Sequence, residues 1–451
     1  MIPILDFQQR SLDGPVMKAM QFDLAFSKKL RELVAQHEIV YDAEELVVDD
    51  ATADRIFDAG VQLLAGVGLY HLDTHRVVTL AEEEIREVAR EYRDAPPEVV
   101  FGRGEERLSF RYRTSEEERP PILAAGPAGA IEQDWFVPYV QSFAQEPSIR
   151  ALGIAGGITA VDGQVPKAGT LSEMHCAQWE CEQLNEIVDR IGRPDMHLGL
   201  LCTASSMGAI TACMRPGLRE AWNTQIGVHI IPEQKIDWTR LMLAKYCEDS
   251  GITPWTSCVS VMGGLCRHGP DVAVGLVANL LGQLCYGHGT LANIFVNRMN
   301  GSWGDAETQW ATSGASRAAE RNIRVPIAGV CVPGPDVTCT EAAVLQASAV
   351  AVSNTANGFA YAWIAGGSGI EARLLGEVMT AAAGMKRGDA NELVKRLLEA
   401  SAAANKGGEA ALGRREIATI YDLETVRPKP AFIDELQRSK GILGDLGVPF
   451  A

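Results

Sequence analysis

Thiol and hydroxyl side chains follow an apolar run of the chain, inside the stretch Gly192–Gly208 (GRPDMHLGLLCTASSMG). Met196–Leu201 is typical of a short buried strand, and Cys202, Thr203 and Ser205 come after it, before any ordinary turn residue. A strand that opens onto small polar residues usually opens onto a ligand. We therefore predict that these three side chains bind a substrate.

Other residues that could do chemistry also lie at the ends of apolar runs or at the starts of the helices that follow. We predict catalytic roles for Asp271, which begins a helix, and His229, which lies in QIGVHII. Glu371 begins a later helix, where the helix dipole favours a carboxylate. We predict substrate binding by the remaining members of this set: Arg267, His268, Cys331, Glu371 and Arg373.

Each of these residues also has an ordinary structural alternative. His229 can be a hydrogen-bonded core histidine, and Cys202 and Cys331 can be small buried apolar groups. Cys176 and Cys181 lie in one predicted helix, about 140° apart around its axis, so one ion cannot easily reach both. We expect no metal site in this chain, and no G-x-S-x-G nucleophile motif is present.

Eight short apolar runs alternate with helical segments after residue 118. The runs are Ile122–Pro127, Ile149–Gly157, Met196–Cys202, Gln225–Ile231, Trp255–Gly263, Leu291–Asn297, Val325–Pro333 and Ala360–Gly367. Near-continuous apolar strands separated by helices indicate a parallel sheet covered on both faces. Eight such units predict an α/β fold of the (β/α)8 TIM-barrel type, with the chemistry at the carboxyl ends of the strands. An open doubly wound sheet is the alternative, although no GxGxxG motif follows the first strand.

Three segments differ in composition and pattern. Residues 1–118 are more charged and mostly helical, and we predict them to be an N-terminal helical extension that ends at TSEEERPP (Thr114–Pro121). Residues 119–388 form the predicted barrel. Residues 389–451 form a predicted C-terminal helical cap. The segment FGRGEERLSFRYR (Phe101–Arg113) predicts a small hairpin or an extended strand.

The composition excludes several classes of protein. A formal charge of −17 over 451 residues disfavours nucleic acid or an anionic membrane as a partner. Ten irregularly spaced cysteines in a large chain are typical of a reducing compartment, so we expect a cytoplasmic protein. The first residues lack the basic and apolar pattern of a signal peptide.

Several motifs together resemble one known family. They are YHLDTHRVV (Tyr70–Val78), GRPDM (Gly192–Met196), CTEAAVLQAS (Cys339–Ser348), GIEARLLGEVMTAAAG (Gly369–Gly384), YDLETVRPKP and LGDLGVPF. Their order and spacing are similar to those of the monomethylamine:corrinoid methyltransferase family along nearly the whole chain. The resemblance implies a (β/α)8 barrel, a corrinoid protein as partner and a homo-oligomer, in the family a hexamer. It also implies that cobalamin is bound by that partner and not by this chain.

The resemblance further implies a changed substrate pocket. Alignment on GRPDM places the pyrrolysine of the archaeal members at about Gly199, so this chain is similar to a pyrrolysine-free homologue. In GGLCRHGPD only Asp271 remains of the family's acidic residues, and Cys331 replaces a polar or aromatic residue. We interpret Gly199 as a substrate-binding position that leaves space for a larger molecule.

The expected activity is transfer of a methyl group from an N-methylated, larger or quaternary amine to cob(I)alamin. Asp271 and an aromatic side chain such as Trp255 or Trp303 could hold a cation. Arg267 or His268 could instead hold a carboxylate, as in a betaine-like substrate. Two other hypotheses are a barrel lyase or hydrolase that has lost methyl transfer, and a non-enzymatic binding subunit.

Overall fold

The computed structural model describes residues 2–127, 129–153, 157–287, 289, 291–299, 304–331, 340–405 and 417–450, without the side chain of Cys331. The helices in this part of the chain are α1 (Ile4–Asp13), α2 (Ala19–Gln36), α3 (Asp50–Val67), α4 (Glu82–Asp94), α5 (Gln133–Ala144), α6 (Leu171–Arg190), α7 (Met207–Cys213), α8 (Trp238–Ser250), α9 (Gly269–Gly287), α10 (Ala306–Asn322), α11 (Glu341–Ala356), α12 (Gly369–Ala382), α13 (Arg387–Ala404), α14 (Ile417–Ile420) and α15 (Pro430–Asp445).

The strands fall into one large sheet and several small ones. They are β1 (Leu69–His71), β2 (Arg76–Val78), β3 (Glu98–Phe101), β4 (Leu108–Arg111), β5 (Ile122–Gly126), β6 (Ala130–Ile131), β7 (Ala151–Leu152), β8 (Gly157–Ile158), β9 (Ile226–Gly227), β10 (Lys235–Ile236), β11 (Pro254–Met262), β12 (Leu291–Arg298), β13 (Ile327–Cys331), β14 (Tyr361–Ala365), β15 (Tyr421–Asp422) and β16 (Arg427–Pro428).

Seven parallel strands form the central sheet, in the order β7-β5-β14-β13-β12-β11-β9. The segment 197–201 forms parallel bridges to both edge strands, Ala151 to His197 on one side and Leu200 to Gln225 on the other. Leu152 N–H donates to His197 O at 2.9 Å, and Leu201 N–H donates to Gln225 O at 3.2 Å. The predicted α/β fold with a parallel sheet is confirmed, and the eight-stranded barrel is supported in part: segment 197–201 bridges both edges without being a regular strand.

The side chains of the central strands alternate between two cores, as a period of two requires. Leu123, Cys258, Ile294 and Ile364 belong to the large core shared with the helices. Residues of the opposite face belong to a second, separate core. We call this second face the inner wall; it carries Ala124, Ala151, Leu200, Trp255, Leu291, Ala328, Val330, Tyr361, Trp363 and Ala365.

The helix α9 explains why the sequence after Gly269 is apolar all round. Every residue of α9 is buried, because α3 covers the helix on one side and β11 on the other. A helix that is hydrophobic on all faces is a core helix. The N-terminal and C-terminal helices also share the large core with the helices that cover the central sheet. The boundaries predicted at residues 118 and 388 stay predictions.

The hairpin β3–β4, residues 98–111, closes the amino-terminal end of the sheet, and we call it the plug hairpin. The Phe101 ring stacks on His197 with centroids 3.9 Å apart, and the Phe110 ring lies 4.9 Å from that of Tyr361. These aromatic side chains belong to the inner-wall core. The segment is therefore a hairpin, one of the two predicted alternatives, and it covers the amino-terminal end of the sheet.

None of the described helices is both long enough and apolar enough to cross a bilayer. The cysteines Cys176, Cys181, Cys202, Cys213, Cys247, Cys258, Cys266 and Cys285 are free thiols.

Candidate active site

Polar groups interrupt the inner wall between its aromatic side chains. Ser257 and Asn293 are paired across β11 and β12, and Asn293 Nδ2 donates to Ser257 Oγ at 3.2 Å. His229 follows β9 on the same face, because it lies two residues beyond Gly227. The Trp363 ring stands perpendicular to that of Trp255, with centroids 6.2 Å apart. This group combines aromatic faces with neutral hydrogen-bonding atoms.

Four buried polar atoms of the inner wall have no hydrogen-bond partner in the described part of the chain. They are His229 Nδ1, Asn293 Oδ1, Trp363 Nε1 and the Tyr361 hydroxyl, whose ring packs against the plug hairpin. Buried polar groups are nearly always hydrogen-bonded, since an unmade bond costs about 1–3 kcal/mol. Unpartnered atoms on one wall therefore favour a bound ligand that supplies their partners.

Burial sets the charge of His229. It lowers the pKa of this imidazole to about 4, and the positive charge of Arg240 lowers it further in the same direction. His229 is thus neutral near pH 7, and one ring nitrogen can donate while the other accepts. A neutral imidazole does not repel a cationic ligand, unlike the charged form.

Two glycines make room for the side chains of this wall. A Cβ at Gly153 would lie 2.3 Å from Trp363 Cδ1, and a Cβ at Gly227 would lie 2.5 Å from His229 Nε2. Both distances are too short for any side chain. The glycine-rich strand ends therefore hold Trp363 and His229 in place, in addition to any role in turns.

The predicted substrate-binding residues Cys202, Thr203 and Ser205 lie at the carboxyl end of segment 197–201. We call residues 202–206 the rim segment. Cys202 packs against the inner-wall core, and Thr203 Oγ1 accepts from Ile158 N at 3.1 Å. A Cβ at Gly157 would lie 3.8 Å from Thr203 Oγ1. Gly157 therefore lies beside the rim segment, whereas Gly156 lies outside the described residues.

The hydroxyl groups of the rim segment are bonded to buried carboxylates. Ser205 Oγ donates to Glu173 Oε1 at 2.6 Å, and Ser205 N donates to the same oxygen at 2.7 Å. Thr203 N donates to Glu180 Oε2 at 3.1 Å, and the Thr203 hydroxyl donates to the same oxygen. These hydroxyls therefore hold the rim segment in shape. Substrate binding by Thr203 and Ser205 stays a prediction.

Glu180 and Arg219 hold the rim segment and the strand before it from behind. Glu180 is fully buried, and burial raises the pKa of its carboxyl to about 7, against the lowering effect of the Thr203 hydroxyl and the Arg219 charge. Arg219 is also buried and donates to Gly199 O at 2.8 Å and to Leu198 O at 3.3 Å. Neither residue was singled out from the sequence, because each lies in an amphipathic helical or loop segment far from Gly199.

Gly199 does not open space for a substrate. Its φ is +74°, and a Cβ there would lie 2.4 Å from both Gly153 O and Leu152 O. The missing side chain would thus run into the neighbouring strand. The interpretation of Gly199 as a space-giving position is corrected: this glycine permits the close approach of two strands.

Arg267 and His268 lie just before α9, and Asp271 lies in its first turn. Asp271 Oδ2 accepts from Arg267 N at 2.9 Å, and Arg267 and His268 are exposed. Asp271 is 6% exposed, and the hydrogen bond from Arg267 N satisfies one oxygen of this buried carboxylate. A contact of these three residues with a substrate stays a prediction.

The remaining candidates lie on α12 or at the end of β13. Arg373 Nη1 lies 3.3 Å from Glu146 Oε2, which ties α12 to the residues after α5 on the helical side of the sheet. Glu371 is buried in the first turn of α12. The side chain of Cys331, together with Trp303, lies outside the described residues. Trp255 is 1% exposed and fills the inner wall, so it acts as core.

A family model described as monomethylamine methyltransferase MtmB matches residues 2–448. The chain belongs to the monomethylamine methyltransferase MtmB family. The predicted resemblance is confirmed, and so is the predicted enzyme class, a methyltransferase of the methylamine:corrinoid type. The alternative of a lyase or hydrolase is not favoured.

Relatives in this family match over almost their whole length. Monomethylamine methyltransferase MtmB3 of Methanosarcina barkeri (strain Fusaro) is 26% identical over 468 residues, which cover 99% of this chain and 98% of the relative. Monomethylamine methyltransferase MtmB of Methanosarcina mazei is 25% identical over 476 residues, with the same coverage of 99% and 98%.

Two solved structures have the same fold. One is a crystal structure of the Methanosarcina barkeri monomethylamine methyltransferase, and the other is the hydroxylamine MtmB complex. Each superposes with a TM-score of 0.90 at 22% identity and covers 99% of this chain and 98% of the solved chain. These likenesses support the fold of this family member and nothing finer.

Sequence reasoning missed the polar and aromatic residues inside the strands: Ser257, Asn293, Phe295 and Trp363. The signal that could have found them is alternation, because every second residue of LANIFVN and AYAWIAGG faces one side. In the described residues, no cluster of three or more His, Cys, Asp or Glu side chains is arranged to hold a metal ion.

Proposed function

We propose that this chain transfers a methyl group from an N-methylated amine, larger than monomethylamine or quaternary, to cob(I)alamin on a partner corrinoid protein, without pyrrolysine. We further propose that the sheet closes as an eight-stranded barrel through segment 197–201. The substrate then binds against the inner wall, between Trp363, Asn293 and His229.

The character of the inner wall carries this proposal. No Lys, Arg, Asp or Glu is found among the described strand residues whose side chains face the inner wall. A quaternary ammonium has no N–H to donate, and aromatic faces within about 6 Å stabilise it through cation–π attraction. Trp363 and Phe295 provide such faces, and neutral His229 adds no repulsion.

The chemistry needs a poised methyl group and a good leaving group. The corrinoid supplies a cobalt nucleophile that accepts the methyl group. This chain holds the methyl carbon in line between the attacking cobalt and the departing nitrogen. Binding energy is thereby used to bring the reactants together in the right orientation. A quaternary ammonium leaves as a neutral amine, so no residue has to protonate it. The Asn293 amide oxygen faces the cation with its partial negative charge.

Monomethylamine itself is the second candidate, and one observation favours it. Its ammonium group needs hydrogen-bond acceptors, and Asn293 Oδ1 and a neutral His229 nitrogen lack partners in the described part of the chain. The two candidates thus differ in whether the substrate nitrogen donates hydrogen bonds to these atoms.

A substrate screen with matched Trp363 variants tests the proposal. Purified protein is mixed with cob(I)alamin and N-methyl compounds, from monomethylamine to quaternary amines with and without a carboxylate, and methylcobalamin is followed by absorbance. We expect turnover of a quaternary amine. Trp363→Phe should keep it, whereas Trp363→Leu should raise KM about 2- to 30-fold, equivalent to a cation–π contact of about 0.5–2 kcal/mol.

Trp179→Leu is the control, because Trp179 packs against Phe136 in the helical layer and should leave KM unchanged. Turnover of monomethylamine alone, with equal effects of the two Trp363 variants, would support the second candidate. Absence of methylcobalamin with every compound would contradict both.

The partner and assembly remain part of the proposal. We propose a corrinoid protein as partner, a homo-oligomer and a cytoplasmic location, and we propose no nucleic-acid or membrane partner. The net charge of −17 and the free thiols support the last two points. Cys202 remains the best placed of the predicted substrate-binding residues, since it packs against the inner-wall core.

A further inference from the structure

A second cavity lies at the opposite end of the sheet from the candidate active site. Its volume is about 600 Å³, and it lies between the outer face of the plug hairpin and the starts of β5 and β7. Ligand pockets for small molecules have volumes of about 300–1,000 Å³. The cavity is therefore large enough for a metabolite-sized ligand.

Positive charge predominates in the wall of this cavity. Arg111, Arg119 and Arg150 line it, together with a single carboxylate, that of Glu98. Glu98 already accepts a hydrogen bond from the Ser109 hydroxyl. In a chain of net charge −17, three arginines at one cavity are a local departure from the overall charge.

The three guanidinium groups differ in how far their charge and donors are already used. Arg119 is paired with Glu117 at 2.7 Å, so its charge is compensated. Arg111 has no ion pair in the described part of the chain. Arg150 donates one hydrogen bond to Glu105 O at 3.3 Å and lies 3.9 Å from Glu106, a carboxylate that Arg193 holds at 2.6 and 2.9 Å.

The rest of the wall is suited to an organic molecule. The Ser148 hydroxyl is buried and has no hydrogen-bond partner in the described residues. Pro120, Pro121 and Leu123 give the wall an apolar part. A buried unpaired hydroxyl beside the unpaired Arg111 and the partly bonded Arg150 matches the needs of an oxyanion, and guanidinium binds carboxylate and phosphate oxygens through paired N–H groups.

We propose that the cavity between the plug hairpin and β5 binds a small organic anion through Arg111, Arg150 and Ser148. The anionic group is a phosphate or a carboxylate, and the apolar wall contacts the rest of the molecule. This site is independent of the methyl-transfer reaction, because the plug hairpin separates it from the inner wall.

Calorimetric titration of the full-length protein at low ionic strength tests the site. The probes are adenosine 5′-monophosphate, citrate and inorganic phosphate, with adenosine as the neutral control. We expect one-site binding of adenosine 5′-monophosphate or citrate, tighter than that of inorganic phosphate, and none of adenosine. The first two probes distinguish a phosphate from a carboxylate ligand.

Arginine variants localise the binding. The double variant Arg111→Gln/Arg150→Gln should weaken the apparent Kd at least tenfold, and Ser148→Ala should weaken it less. Arg31→Gln is the matched control, since Arg31 is an exposed arginine on α2, away from the cavity. Circular dichroism confirms that each variant folds.

Three results would overturn the proposal. They are Kd values weaker than about 1 mM for every anion, equal binding by wild type and the double variant, and equal binding of adenosine and its phosphate. Methyl transfer by the double variant should equal that of wild type, so failure of this site is distinguishable from failure of the proposed reaction.

Discussion

Glu180 shows how a single buried carboxyl can make stability depend on pH. Its ordinary pKa is 4.5, and burial raises it to about 7. The unfolded chain therefore ionises first as pH rises, and the folded state keeps the proton longer. The stabilising contribution is fully present below pH 4.5 and is lost as pH rises to about 7.

Glu180→Gln removes this titration but keeps a polar group beside Thr203. The free energy of unfolding of wild type relative to Glu180→Gln should fall by about 3 kcal/mol between pH 4.5 and 7, at about 1.4 kcal/mol per pH unit. Urea unfolding at a series of pH values measures the difference.

Glu173→Gln is the control for this experiment. Hydrogen bonds from Ser205, Ser206 and Gly169 lower the pKa of Glu173 to about 2, despite its burial. Its contribution is therefore lost only as pH falls from 4.5 towards 2. The difference between wild type and Glu173→Gln should stay flat from pH 5 to 8. Parallel curves for both variants would show that Glu180 ionises normally.

Residue types alone could not separate structural from ligand-facing groups. Reading the residues after each strand selects Thr203, Ser205 and Asp271, and each of these bonds to the chain around it. Residues that follow a strand lie where the backbone turns and leaves N–H groups to be satisfied. The unpartnered atoms of Asn293 and Trp363 lie within strands, inside runs that read as purely apolar.

At the scale of the element, segment 197–201 shows how a strand can bridge a sheet without being regular. Gly199 has a φ of +74°, so alternation breaks there, and both His197 and Leu200 face the inner-wall side. The sequence predicts a strand at Met196–Cys202, and the bridges to β7 and β9 agree with that position. The left-handed residue could not be predicted, because a glycine between apolar residues has many uses.

Gly192 and Gly199 both have a left-handed backbone conformation, and comparing them separates the cost of that conformation from the cost of a close contact. Gly192 and Gly199 have φ of +75° and +74°, but a Cβ at Gly192 meets nothing within 4 Å. Gly192→Ala should therefore lower the free energy of unfolding only by the cost of a left-handed alanine, about 1–2 kcal/mol. Gly199→Ala should cost at least twice as much, because its Cβ overlaps two carbonyl oxygens. Equal losses in chemical unfolding would contradict the close approach.

The helices were predicted more completely than the shortest strands. The sequence predicts one helix that holds Cys176 and Cys181 and two that begin near Asp271 and Glu371. The structure has α6, α9 and α12 there, since long amphipathic or fully apolar helices carry a strong pattern. β7 and β9 are two residues each, although the apolar runs there are nine and seven residues long. An apolar run indicates that its residues are buried. Residues can stay buried beyond the point where the hydrogen bonds between neighbouring strands end. The sequence pattern does not predict helix α7, because its 7 residues are too few to show a helical period.

At the scale of the whole molecule, the plug hairpin joins the N-terminal part of the chain to the sheet. Phe101 and Phe110 are fully buried in the inner-wall core, while Val100 on the opposite face is 40% exposed. The hairpin itself could be predicted from Phe101–Arg113. Its position could not, because only the tertiary fold shows that the amino-terminal end of the sheet needs a cover.

Phe110→Ala should lower the free energy of unfolding by about 3–5 kcal/mol, since it leaves a cavity beside Tyr361. Val100→Ala, one strand away on the outer face, should cost less than about 1 kcal/mol. Thermal or urea unfolding of the two variants measures the contrast. Similar small losses would mean that the hairpin is not part of the cooperative core.

The plug hairpin also limits the directions from which reactants can reach the inner wall. Because Phe101 and Phe110 cover the amino-terminal end of the sheet, the proposed reaction requires both reactants to enter from the carboxyl end. Under that proposal, a small amine beneath a docked corrinoid protein exchanges with solvent only after that protein departs. We therefore expect a compulsory order of addition, with the amine first and the acceptor second, and release of the demethylated product last.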